Sequence, residues 1–343
     1  MKVNQSPDRT IEIDNEEYLY FGGTAYLGLP THPEFQKLLI KNILQWGTAY
    51  GSSRSANIQL SAYENGERFL AKFIKAEAAL TVSSGMLAGK LLIEALTPET
   101  DCFFHFPDTH TAIKAPNSLP VFIGNKLNPR LLDNVNEKIT ILTDAVPFFN
   151  VKPIDLSVLN LIRPNKEITL VIDESHSLGI LGTNGCGIFS NIDLPNIKRK
   201  IISSSLGKAF GLTGGVIASD SEFINQMATH DTFVASAGMN AAFVQTMADA
   251  SAIHLQQYQK LKNNLNYIDV HLIKNKEVRF DPNYPLIYPE IEGINEIFTA
   301  NKIIMTNFKY PTDTKDLNRI VITANHKKED LDKILQILNQ NQF

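Results

Sequence analysis

The sequence predicts an α/β fold built on a mostly parallel sheet with helices on both faces. Three observations lead there. Short, continuously apolar runs such as Ala79-Leu80-Thr81-Val82 and Ile168-Thr169-Leu170-Val171-Ile172 read as strands buried on both sides. Helical patterns alternate with them. Each run ends in small polar or charged residues, where sheets of this kind bind ligands.

Taken in order, the strand at Ala79–Val82 runs into Ser83-Ser84-Gly85. A helical pattern follows through Met86, Leu91, Leu92, Ala95 and Leu96, stopped by Pro98. Lys138–Leu142 and Ile168–Ile172 are further strands, the second ending at Asp173, and Ile201-Ile202 leads into Ser203-Ser204-Ser205. From Asn240 to Asn264 no Gly or Pro interrupts the pattern, which predicts one long helix linking two domains. Beyond it, Pro282, Pro285 and Pro289 mark a change of composition. Arg319–Ile322 reads as a strand, and Leu331, Ile334, Leu335 and Leu338 place a helix at the end. The domain reading is an N-terminal segment over 1–24, a large α/β domain over 25–245 and a small C-terminal α+β domain over 246–343. The N-terminal segment is expected to pack near the small domain.

The 343 residues carry 32 Lys+Arg against 36 Asp+Glu, a net charge of −4. No basic tract exceeds Lys198-Arg199-Lys200, so there is no electrostatic footprint for nucleic acid. No apolar stretch reaches the ~18 residues of a membrane span. The first residues lack the apolar core of a signal peptide, and two cysteines make no disulfide framework, so a cytoplasmic setting is expected.

Three strand ends carry residues that suggest chemistry. A carboxylate such as Asp173, at the end of an apolar strand, needs a cation or donor to offset its desolvation. The partner is either a protonated ring nitrogen of a cofactor, or a helix cap or ion pair within the chain. Lys208 stands among hydroxyls and glycines in Ser205-Leu206-Gly207-Lys208-Ala209-Phe210-Gly211. It reads as a phosphate contact, an amine nucleophile or a surface lysine in a loop. Ile202 and Ala209 exclude a Walker A loop. Partial desolvation would lower the ammonium pKa and favour the free amine. Ser84, Gly85 and Met86 put free N–H groups and the positive helix end where a phosphate could sit. A phosphate cradle, an acid for a ring nitrogen and a lysine together suggest pyridoxal phosphate.

His110 could stack on such a ring or be a satisfied loop histidine. Cys102, His105 and His110 lack a fourth ligand, so no metal is expected. The absence of Gly-x-Ser-x-Gly argues against a hydrolase triad.

Jointly these motifs resemble the α-oxoamine synthases among the fold-type I pyridoxal-phosphate enzymes. The matching segments are Tyr26-Leu27-Gly28-Leu29, Tyr50-Gly51-Ser52-Ser53-Arg54, Ser83-Ser84-Gly85-Met86, Asp108-Thr109-His110, Asp173-Glu174-Ser175-His176-Ser177-Leu178-Gly179 and Ser205–Gly211. Relative to that family the sequence reads as shortened at both ends.

The resemblance implies a seven-stranded, mostly parallel sheet and a set of roles. Lys208 would attach the cofactor and later move the α-proton. Asp173 would pair with the pyridinium nitrogen, His176 touch the phenolic oxygen and His110 stack on the ring. Gly85, Met86, Ser84 and Ser205 would hold the phosphate, joined by Ser236 from the other subunit of a homodimer. Arg319 would clamp a substrate carboxylate, with Thr24 nearby.

The sequence departs from the family at Thr24, Asn57-Ile58, Tyr63, Gly89 and Phe148. The activity implied first is decarboxylative condensation of a small amino acid with an acyl-CoA or carrier-bound acyl thioester. Transamination or aldol-type cleavage on the same scaffold is the alternative, and a non-catalytic partner subunit a third.

Overall fold

A computed structural model describes residues 1–274, 276–308 and 317–340. Strands β1 (Thr10–Ile13) and β2 (Glu16–Phe21) form a hairpin turning at Asp14 and Asn15, both at positive φ, where short Asx side chains are tolerated. Helices α1 (Pro33–Trp46) and α2 (Ser61–Ile74) precede β3 (Ala78–Val82), α3 (Gly85–Leu96), β4 (Cys102–His105) and β5 (Leu119–Pro120). A small hairpin, β6 (Phe122–Ile123) and β7 (Lys126–Leu127), leads to β8 (Glu137–Asp144), β9 (Lys166–Asp173), β10 (Ile197–Ser205) and β11 (Gly215–Ser219). Then come α4 (Ser221–Ala228), α5 (Asp231–Ala235), α6 (Ala241–Asp249) and α7 (Ser251–His271). The last elements are β12 (Val278–Phe280), β13 (Leu286–Pro289), α8 (Ile294–Ala300), β14 (Ile303–Phe308), β15 (Leu317–Val321) and α9 (Lys328–Gln340).

These elements cluster into two compact units. One comprises Lys37–Gly207 and Leu212–Ser251; the other comprises Met1–Gln36, Lys208–Gly211 and the chain from Ala252 onward.

The first unit is built on the seven-stranded sheet β3-β11-β10-β9-β8-β4-β5. From β10 to β5 every neighbouring pair is parallel; β11 runs antiparallel to both β10 and β3. Alternate residues of one strand feed two cores. Leu142, Val171 and Ile201 pack with α3, while Ile141, Leu170 and Ile172 pack on the other face with Phe104 and Leu159. Burial on both faces is why these strands read as unbroken apolar runs.

The second unit carries a six-stranded sheet, β1-β2-β14-β15-β13-β12, in which β2 pairs in parallel with β14. The N-terminal hairpin is thus a structural part of the C-terminal sheet. Arg9 holds Asp330 of α9 by a 2.6 Å ion pair, and Phe21 stacks on His326 at 4.0 Å.

The single helix expected over 240–264 is two helices. Asn240 caps α6 by accepting the Ala242 N–H, and α6 stops at Asp249. Thr246 donates its hydroxyl to the Ala242 carbonyl, and the Asn42 amide donates to both Thr246 and Asp249. The Thr246 bond to a backbone carbonyl is of the kind that competes with the helix ladder without any Gly or Pro. Among the described residues no helix is long and apolar enough to cross a membrane.

Candidate active site

The carboxyl ends of β3, β8, β9 and β10 bring most of the sequence-predicted residues together in the first unit. At the end of β3 the backbone enters α3. Ser84 is its N-cap, its Oγ accepting the Leu87 N–H at 3.1 Å. The N–H groups of Gly85 and Met86, in the first turn, have no intrahelical acceptor. A Cβ on Gly85 would lie 2.8 Å from Cβ of Ser205, and one on Gly215 would lie 2.3 Å from the Ser84 carbonyl oxygen. Glycine at both positions lets the end of β10, the start of β11 and the helix start touch backbone to backbone. The rim is then N–H groups and the hydroxyls of Ser84 and Ser205, a donor set suited to a phosphate at the positive end of the helix.

Asp173 ends β9 and is 7% exposed. Its Oδ1 accepts the Ser175 N–H at 2.8 Å, and its other oxygen has no partner among the described residues. Ser175 also receives the Ser205 N–H on its hydroxyl at 2.8 Å, tying the two strand ends together. The following turn places half-buried His176 between Glu174 and Ser177, with the N–H groups of Ser177 and Leu178 donating to the Glu174 carbonyl.

The sequence reading missed Asp144. It ends β8 in register with Asp173, and its Oδ1 accepts the His110 backbone N–H at 3.0 Å, fixing the turn that carries His110. The signal was an acid two positions past the Lys138–Leu142 run. The His110 ring accepts the Ala112 N–H on Nδ1 at 3.2 Å, which leaves Nε2 as its donor. Gly89 belongs to the same arrangement: a Cβ there would lie 2.5 Å from the Ala112 carbonyl oxygen. Helix α3 packs directly on the His110 turn, so no side chain has room at this position.

Lys208 sits in the connection between β10 and β11. That connection is closed by the Leu206 N–H donating to Gly214 and the Leu212 N–H donating to Leu206, at 3.0 and 3.1 Å. The lysine is therefore held on a short closed loop directly beyond the Ser205–Gly215 pair. Ser236 lies at the end of α5, where its hydroxyl donates to the Thr232 carbonyl at 2.5 Å.

Two departures from the family have structural explanations. The Tyr63 hydroxyl donates to the Met239 carbonyl at 2.9 Å and its ring lies under the Arg54 guanidinium at 4.0 Å, while Arg54 pairs with Glu67. Phe148 meets Phe149 edge-on at 4.2 Å and offers no hydroxyl. Of the trio considered for a metal, His105 is bonded to the Ser118 hydroxyl at 2.9 Å, and burial pushes the Cys102 thiol pKa up.

In the second unit, Arg319 lies on β15 opposite Thr306 and is 7% exposed. Its Nε is buried without a partner, and no carboxylate pairs with it among the described residues. A buried guanidinium is costly unless an anion meets it, which makes this side chain a candidate for an anionic ligand. Thr24 accepts the Tyr26 N–H on its carbonyl.

Glu174 is fully buried. Burial pushes its carboxyl pKa up to about 7, against the opposing effect of Ser177, Ile188 and Phe189, which all donate to it. A carboxyl that holds its proton to about pH 7 when folded, against about 4.3 when unfolded, stabilises the fold most below the lower value. That contribution is lost as pH rises through 7. Glu174→Gln keeps an acceptor for the two N–H groups and a donor for Ser177, without the charge. In denaturant unfolding between pH 5 and 8, the wild type is expected to lose about 3 kcal/mol more than the variant. Buried His254 and His326, lowered to about 4 chiefly by burial, are common to both proteins and cancel in the comparison. Parallel curves would show that Glu174 keeps its charge throughout.

A family model described as aminotransferase class I and II matches residues 156–338, more than half of the chain. The 8-amino-7-oxononanoate synthase of Thermoanaerobacter pseudethanolicus is 28% identical, over 98% of this chain and 91% of its own. Among solved structures, a Sphingomonas wittichii serine palmitoyltransferase matches with TM-score 0.82 at 16% identity, over 99% of this chain and 91% of its own. An 8-amino-7-oxononanoate synthase from Francisella tularensis matches with TM-score 0.71 at 21% identity, over 94% and 97%. The structural likenesses establish the fold, a fold-type I architecture. The strand-end cradle, whose rim a Cβ at Gly85 would fill, and the half-free Asp173 carboxylate fit pyridoxal phosphate. The chain belongs to the aminotransferase class I and II family.

Proposed function

We propose that this protein is a pyridoxal-phosphate-dependent acyltransferase. It would condense a small amino acid with an acyl thioester, most simply acyl-CoA, with loss of CO2. The observation that carries the reading is the buried, unpaired guanidinium of Arg319, which calls for a substrate carboxylate, in a chain whose other unit presents a phosphate cradle beside an available acid.

Gly85, Met86, Ser84 and Ser205 would hold the phosphate by N–H and O–H donation. The free oxygen of Asp173 would accept the ring N–H and keep that nitrogen protonated. When bound, the cofactor supplies an electron sink for negative charge developing at the substrate α-carbon. Lys208 provides the amine that attaches the cofactor, and its Nζ takes and returns the α-proton. His110 would cover the ring face, with the Nε2 proton available to an oxygen of the acyl donor. His176 would donate to the ring oxygen. Arg319 would fix the substrate by a two-pronged bond to its carboxylate, with Thr24 alongside.

We further propose a cytoplasmic homodimer in which Ser236 reaches the phosphate of the partner subunit. Both cysteines are free and buried, in keeping with a reducing compartment. Exposed Ile40 and Leu44, one turn apart on α1, support an interface, since Leu44 is 83% exposed.

The test is free-thiol release from a panel of acyl-CoAs with glycine, alanine or serine present. Amino-acid-dependent release is expected. No release from protein that retains the cofactor's absorbance would overturn the condensation and favour transamination or cleavage.

A further inference from the structure

The second unit carries two more donors beside Arg319 that its sheet geometry places on one face. Thr306 on β14 pairs directly with Arg319 on β15. On the other side of β14, Tyr20 of β2 pairs with Ile304, two residues before Thr306, so Tyr20, Ile304, Thr306 and Arg319 share one face. The opposite face is the core side, with Phe21, Met305 and Ile320 buried.

The Tyr20 ring does not stand upright on this face. It lies along the strand over two glycines: a Cβ on Gly22 would be 2.9 Å from the phenolic oxygen, and one on Gly23 would be 3.4 Å from it. Gly22 is one residue past the Phe21–Met305 pair, level with Thr306. The phenolic oxygen, Thr306 and Arg319 therefore form a row across three adjacent strands. The row spans roughly two strand spacings, about 10 Å between its outer backbones, and the long arginine side chain can bridge much of that distance.

None of these three side chains has a hydrogen-bond partner among the described residues, and Arg319 is 93% removed from solvent with its Nε orphaned. Arg319 also pulls the Tyr20 phenol pKa down, against the larger upward push of burial, so the two groups are within electrostatic reach. A carboxylate held two-pronged by an arginine still has lone pairs free, and hydroxyls are the donors that suit them.

We propose that Tyr20 and Thr306 complete the carboxylate subsite headed by Arg319, so that this chain selects a free amino-acid carboxylate over its neutral carboxamide. Tyr20 reads the carboxylate through its hydroxyl, and Gly22-Gly23 exist in this chain to let the ring lie flat. The inference rests on the proposed role of Arg319 toward the amino-acid substrate.

The test is steady-state kinetics of Tyr20→Phe and Thr306→Val, with equilibrium titration of each holoenzyme by the amino acid and by its carboxamide, followed by the cofactor's absorbance. Tyr20→Phe keeps the ring over the glycines, and an unchanged melting temperature checks that. The expected result is an amino-acid KM about tenfold higher for Tyr20→Phe, with kcat within about twofold and carboxamide affinity unchanged, the scale of one hydrogen bond to a charged group. Thr306→Val should act in the same sense. Equal weakening toward the carboxamide, or an unchanged amino-acid KM, would overturn the proposal. Arg319→Lys separates the two readings: if it leaves amino-acid affinity intact, the carboxylate role of Arg319 itself fails. If it weakens binding while Tyr20→Phe does not, only the role of Tyr20 fails.

Discussion

Lys208→Ala is expected to abolish thiol release, lowering kcat by about 10⁴-fold, because in the proposed reaction one side chain would supply both the attaching amine and the proton carrier. The substitution should leave the fold intact. The connection that holds residue 208 is closed by backbone bonds between Leu206 and Gly214 and between Leu212 and Leu206, none involving the lysine side chain. A thermal melt of the variant within a few degrees of wild type would establish this. Borohydride reduction followed by peptide mapping gives the second readout. Wild type should carry the reduced cofactor on the peptide containing Lys208, and the variant should carry none. Reduced cofactor on a different lysine in the wild-type protein would sink the assignment.

The second large effect is expected at Asp173. Its Oδ1 is occupied by the Ser175 N–H, so Asp173→Asn can preserve that bond and the strand-end geometry while removing the negative charge. A neutral amide cannot hold a ring nitrogen protonated against its ordinary preference. A loss of kcat of about 10³-fold is expected, in the range of deleting a preorganised electrostatic partner. Phosphate affinity should change little, because Gly85, Met86 and Ser205 lie at other strand ends. The fraction of cofactor retained after gel filtration separates the two effects. Asp173→Asn activity within threefold of wild type would mean that the ring nitrogen finds its partner elsewhere.

Much of the first unit was legible because its chemistry is local. The apolar runs at β3, β8, β9 and β10 announce themselves by composition, and each candidate residue there lies within a few positions of its strand end. The motif order then identified the cofactor class. What stayed hidden depends on contacts distant in sequence. Asp144 matters because its carboxylate meets the N–H of His110, 34 positions away. Gly89 is only a departure from the family until Ala112 is seen to fill the space a side chain would need. The break at Ala250 lies where Asn42 of α1 reaches Thr246 and Asp249, a contact no helix propensity encodes.

By itself, the sequence determined the α/β class and pointed to the strand ends at Ser84, Asp173 and Ser205 and to Lys208 as the candidates for its chemistry. Those follow from short-range patterning, where burial periodicity and turn chemistry act within a single segment. The sequence expected the N-terminal segment near the small domain; only the tertiary structure decided that it enters that sheet beside β14, that β11 runs antiparallel and so closes the Lys208 connection, and that Tyr20 shares a face with Arg319. Strand pairing between residues hundreds of positions apart is set by which edges can satisfy their backbone N–H and C=O groups while burying the apolar face between them, and that condition can be met only by the folded chain as a whole.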